Sequence, residues 1–144
     1  SALAKNDRVA IAAPPLLTPE GHLEEAGASV DSDGLTIGIG GERSDVSYAD
    51  AMRDRDVTYA SAACWLLRRS AFEAVDGFDP AFVPAYYEDV DLALRLADAG
   101  QRCRLVTDRP VVHHHLGPDA GRAEIAERSR RLFVDRWGAR LSQV

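Results

Sequence analysis

A chain of 144 residues, 46% hydrophobic and 28% charged, has room for one domain with a real core, because chains of this size bury roughly 70% of their unfolded surface. Its formal charge of -6 and pI of about 5.1 argue against a nucleic-acid partner, which requires a surplus of Lys and Arg. No low-complexity tract, internal repeat or run of roughly 20 apolar residues is present, which leaves disorder, solenoids and a membrane helix without support.

The first segment, "RVAIAAP" at residues 8 to 14, is a short apolar run closed by Pro14 and Pro15 and predicts a buried strand. It lies so near the first residue that we expect the chain to begin inside a larger fold. The start lacks the order of a signal peptide. Residues 16 to 56 are rich in glycine and predict loops with one or two short strands, among them "LTIGI"; "GIGG" lacks the spacing of a phosphate-binding loop.

"ACWLL" reads as a second buried strand. Ser70, with Glu73 three residues on, predicts a capped helix through Val75 that Gly77 ends at C′. Cys64 and Cys103 have no metal-type spacing and read as reduced thiols. From Glu88 to Ala99 the pattern is helical: Val90, Leu94 and Ala97 form one apolar row and Leu92, Leu96 and Ala99 the next. Glu88, Asp91, Arg95, Asp98 and Arg102 step along the opposite side. "RCRLV" and "PVVHHH" follow as strands, and residues 119 to 141 as a terminal helix burying Ile125, Leu132, Phe133 and Trp137.

Two readings of the acid pair at the start of the central helix stand side by side. Asp89 falls on the apolar side and serves either as an N-cap or as a base held in a cleft, with Phe82, Tyr86 and Tyr87 as a platform for a sugar or another flat ligand and Pro84 stiffening the approach. In "HHH", His113 and His115 share one strand face and His114 takes the other, so the histidines are either exposed strand ends or metal ligands.

Taken together, "ASAACWLLRRSAFEAVDGFDPAFVPAYYEDVDLALRLADAGQRCRLVTDRPVVHHHLG" resembles the C-terminal, acceptor-side half of family 2 glycosyltransferases, especially rhamnosyltransferase-like members. The likeness spans residues 57 to 117 and weakly residues 8 to 27. It implies an α/β fold, part of the GT-A (nucleotide-diphospho-sugar transferase-like) sandwich with a mixed sheet and flanking helices. Asp89 would then be the general base that deprotonates the acceptor hydroxyl for inverting transfer, and Glu88 would hydrogen-bond the acceptor. Trp65, Tyr86 and Tyr87 would line its pocket, with Asp91 beside them and more concerned with organising the helix. His113, or alternatively His115, would complete a site for a divalent cation, Mg2+ or Mn2+.

Ala62 stands where the family has Gly, narrowing the site, and Asp76 where it has the first Gly of "GGFD". "FVDRW", residues 133 to 137, lacks the Gln or Arg of the processive synthases, and "DSD", residues 31 to 33, has the letters of the Asp-x-Asp metal motif in the wrong place. With the nucleotide-binding half absent, residues 1 to 144 are expected to be inactive alone, with an apolar edge that favours self-association. The implied partners are a nucleotide-sugar donor, a saccharide acceptor and the missing half. The implied setting is cytoplasmic, at the inner membrane face, making cell-envelope polysaccharide. The alternative is a non-catalytic sugar-binding or partner-docking module of the same ancestry.

Overall fold

The apolar run after Arg8 forms the strand Val9–Ala13 (β1), buried at all five positions, as befits a strand covered on both faces. In the computed structural model, which describes residues 2–114 and 120–143, it follows a short helix, Ala2–Lys5 (α1). After it come strands Leu16–Leu17 (β2), Leu23–Glu25 (β3), Ala28–Val30 (β4) and Thr36–Gly38 (β5), helix Tyr48–Ala51 (α2), and strands Arg55–Val57 (β6) and Leu66–Leu67 (β7). Helix Arg69–Ala74 (α3), a 3-10 turn at Pro80–Phe82 and helix Glu88–Asp98 (α4) lead to strands Arg102–Leu105 (β8) and Val111–Val112 (β9) and helix Ala120–Leu141 (α5).

The fold is α/β with mixed sheets. One sheet runs β6-β8-β1-β7, with β1 parallel to β8 and antiparallel to β7. Proline has no N–H to donate to a ladder, so the pairing breaks at Pro14 and Pro15 and resumes as β2 parallel to β9, with β3 antiparallel on the other side. Val106 N donates to Ala13 O and Val111 N to Pro15 O, both at 2.9 Å, carrying the pairing across the break. No described helix is long and apolar enough to cross a membrane.

Three local expectations are corrected. The helix expected to start under a Ser70 cap begins at Arg69, with Arg68 as N-cap and no side-chain cap. The Arg68 guanidinium is occupied with the carbonyls of Leu3, Asn6 and Val9, which ties the start of α3 to the head of β1. Of "ACWLL", only Leu66 and Leu67 pair, and Leu66 is 60% exposed because β7 is the edge of its sheet.

At the end of α3, Gly77 N donates to Phe72 O and Asp76 N to Glu73 O. This Schellman pattern puts Asp76 rather than Gly77 at C′. Asp76 has φ 59°, a conformation that costs a residue with a Cβ roughly 1 kcal/mol relative to glycine. Asp76→Gly is therefore expected to stabilise the chain by about 1 kcal/mol, read as a higher urea midpoint at constant slope.

The polar row of α4 also departs from expectation. Asp91 has no exposed surface at all, because α5 packs over that side of the helix. Its Oδ2 accepts from Arg95 Nε at 2.8 Å, and its Oδ1 from Arg136 Nη1 at 2.7 Å and Trp137 Nε1 at 2.9 Å. Arg136 reaches on to Asp79 at 2.7 Å. Val90, Leu92, Leu94 and Leu96 meanwhile join Ile11, Cys103, Phe82, Phe133 and Trp137 in the main core.

Candidate functional site

The entry to α4 is strained. Tyr86 and Tyr87 both have left-handed backbones, with φ 74° and 67°, which costs of order 1–3 kcal/mol per non-glycine residue and persists only where the surroundings impose it. Here α5 and the loop after β4 impose it. Tyr87 Oη donates to Gly34 O at 2.7 Å and the Tyr87 ring lies 5.2 Å from that of Phe133. Ser129 Oγ donates to Ala85 O at 3.1 Å, and Arg128 to the carbonyls of Ala81 and Val83.

Tyr87 is thus the N-cap residue, without a side-chain cap bond, and Glu88 and Asp89 open the helix. The N-cap reading of Asp89 is corrected accordingly. The left-handed turn delivers the chain into the helix, and Asp89 sits in the first turn, where a negative charge complements the helix dipole. Its Oδ1 accepts from Val90 N at 2.8 Å and its Oδ2 from Ala62 N at 3.2 Å.

Glu88, Asp89, Tyr86, Tyr87 and His113 line one open cleft of about 850 Å³. Burial raises the Asp89 carboxyl above its usual range, against the pull of its amide contacts. Glu88 is raised as well, first by burial and then by the charge of Asp89. Glu88 Oε2 is buried without a hydrogen-bond partner among the described residues. An acid so placed is held ready to accept a proton or a ligand hydroxyl.

Trp65 and Asp91 do not line this cleft. Trp65 donates to Ala60 O at 3.1 Å and stacks at 6.4 Å on Phe78, and Asp91 belongs to the network with α5. His115 lies outside the described residues. His113 Nδ1 stands 3.1 Å from Glu24 Oε1, and among the described residues no group of three His, Cys, Asp or Glu is arranged to hold a metal ion. These residues do not by themselves fit a divalent cation.

Glu25 and Tyr59 also line the cleft, and sequence reasoning missed both. Glu25 Oε1 accepts from Ser61 N at 2.8 Å, and Tyr59 is a buried bridge partner of Ala28. The available signal was alternation. Leu23 and Glu25 share one face of β3, and Leu23 is buried.

Burial, with the charges of Asp89 and Glu24, pushes Glu25 up to about 7 from 4.5. The folded chain then holds a proton that the unfolded chain releases above pH 4.5. Stability is expected to fall as pH rises from 4.5 and to level off above about 7, by up to about 3 kcal/mol. The raised Asp89 and Glu88 act in the same direction. The lowered acids Glu127, Asp54 and Asp79 have the opposite sign and lose their contribution at lower pH. Urea unfolding at about pH 5 and pH 8 measures the fall, and Glu25→Gln should remove most of it. An unchanged fall in that variant would assign it to other groups.

No protein-family model matches the chain. Over 61 residues, 42% of this chain, it is 46% identical to the N-acetylglucosaminyl-diphospho-decaprenol L-rhamnosyltransferases of Mycobacterium tuberculosis strains CDC 1551 / Oshkosh and H37Rv. Over 136 residues, 91% of this chain, it is 26% identical to the uncharacterized protein y4gI of Sinorhizobium fredii. The matched stretch covers 20% of the rhamnosyltransferases and 15% of y4gI, so the chain spans a fifth or less of the curated relatives it matches. The likeness supports glycosyltransferase ancestry, and the α/β architecture with mixed sheets is compatible with part of a glycosyltransferase-like fold.

Proposed function

We propose that this chain is the acceptor-binding and base-carrying half of an inverting family 2 glycosyltransferase of GT-A fold, moving a sugar from a nucleotide-diphospho-sugar to a saccharide or glycolipid acceptor. The observation that carries the proposal is the Asp89 carboxylate, held at the cleft wall on two backbone amides and raised above its ordinary range, beside a Glu88 oxygen without a partner among the described residues.

In this reading Asp89 removes the proton of the acceptor hydroxyl as that oxygen attacks the anomeric carbon in line, and the nucleoside diphosphate departs from the opposite face. A base works best when its pKa lies near the working pH, and desolvation shifts Asp89 upward from the ordinary carboxylate range. Glu88 accepts a hydrogen bond from a second acceptor hydroxyl, and Tyr86, 38% exposed, offers a ring face to a sugar. The resemblance implies a divalent cation that would offset charge on the leaving diphosphate. Its ligands would have to include residues beyond those described, and no step is assigned to it. Rhamnose as the donor sugar, a cell-envelope polysaccharide as product and work at the cytoplasmic membrane face follow from resemblance.

The test is acceptor-dependent release of nucleoside diphosphate by the polypeptide in which this chain occurs, assayed with a panel of nucleotide-sugars that includes deoxythymidine-diphospho-rhamnose. No release with any donor, in a polypeptide that does bind saccharide, would leave the sugar-binding module as the reading.

A further inference from the structure

Ser61 and Ala62 present two consecutive amides to the cleft wall, and each holds a different acid. Ser61 N donates to Glu25 Oε1 at 2.8 Å and Ala62 N to Asp89 Oδ2 at 3.2 Å. The two acids come from distant parts of the chain, β3 and the first turn of α4, and the amides that hold them lie in adjacent peptide units joined at Ser61. On its other side, this stretch is anchored by the Ala28–Tyr59 bridge and by the bond from Trp65 Nε1 to Ala60 O.

We propose that Glu25 is a positioning residue for Asp89: by holding the Ser61 amide it restrains the backbone at residue 61, and so limits the directions open to the Ala62 N–H on which the Asp89 carboxylate rests. This rests on the reading of Asp89 as the base. A rotation of the Ser61–Ala62 peptide would leave Asp89 only the contact to its neighbour Val90, and a base displaced by about 1 Å loses much of its effect. The placement of Glu25 supports the role. The half-buried Glu25 carboxylate has an acceptor oxygen committed to the Ser61 amide rather than to solvent alone.

The test follows the Ala62 amide proton by NMR across pH in the 144-residue chain, with Asp89→Asn assigning the response to Asp89. Glu25→Gln keeps an oxygen for Ser61 N–H, whereas Glu25→Ala keeps none. In the unaltered chain and in Glu25→Gln the Ala62 amide shift should track the ionisation of Asp89. In Glu25→Ala the tracking should vanish and the amide exchange about tenfold faster or more, while the amides of β1 stay protected. If Glu25→Ala loses β1 protection, Glu25→Met, which fills the volume without an acceptor of comparable strength, replaces it.

An Ala62 amide that tracks Asp89 unchanged without Glu25 overturns the proposal. Because this readout needs no turnover, it is independent of the transferase reading. Failure of every donor in the transfer assay would remove Asp89 as a base and leave the hydrogen-bond relation standing.

Discussion

Asp89→Asn, introduced into the polypeptide proposed above to act as a transferase, is expected to lower kcat by about 10²- to 10⁴-fold, the usual worth of a positioned general base. The substitution conserves shape. An asparagine has one carbonyl oxygen where aspartate has two acceptors, so one of the contacts to Val90 N and Ala62 N is kept and the other faces an amide hydrogen. That loss costs about 1 kcal/mol of stability, and removing a part-buried negative charge next to Glu25 and Glu88 offsets part of it. A large fall in turnover with little change in melting temperature and a similar acceptor KM is therefore the signature. Near-full turnover would sink the assignment of the base. An equal loss of folding would show that Asp89 serves structure first.

Asp91→Ala is expected to produce the largest loss of stability. The side chain has no exposed surface and holds Arg95, Arg136 and Trp137 at 2.7–2.9 Å. Breaking a buried charge network by deleting one member typically costs 3–5 kcal/mol, because its partners are left without compensation. The partners here are not equally exposed to that loss. Arg95 retains the carbonyls of Val75 and Gly77, and Arg136 retains Asp79, whereas the Trp137 indole N–H has no second acceptor among the described residues and lies in the core.

The melting temperature should fall by roughly 10 °C or more, with the first loosening in α5, visible as a loss of near-ultraviolet dichroism from Trp137. Asp91→Asn, which retains one acceptor, should lose less than Asp91→Ala. Equal losses would mean that volume, not hydrogen bonding, is what Asp91 contributes.

These two acids show where sequence reading reaches its limit. The helix Glu88–Asp98 and the strand Val9–Ala13 were legible because their signals are local: three- and four-residue spacing in one, and an unbroken apolar run stopped by prolines in the other. Tyr86, Tyr87, Glu88 and Asp89 were legible as a cluster because they are neighbours in the chain. Asp91 read as part of the polar row because nothing in α4 reveals that a second helix covers that row. Glu25 passed unnoticed because its importance depends on Ser61, far along the chain, and the alternation it shares with Leu23 runs over a strand of only three residues. The Ser70 cap failed for a related reason: Arg68 is held by carbonyls at the beginning of the chain, and that long-range hold set where the helix starts.

The central position of β1 has a consequence for biosynthesis. Its two neighbours are supplied late: Ile11 pairs with Leu67 on one side and with Cys103 on the other. During translation at ~5–20 residues per second, this strand waits for several seconds before its first edge can pair and longer for its second. A short, uncharged, apolar strand in that condition invites pairing with other nascent chains. The prolines that end it and the arginine that precedes it are the kinds of residue that limit such pairing. Production yield is therefore expected to depend on chaperone supply and growth temperature more than on the stability of the finished fold.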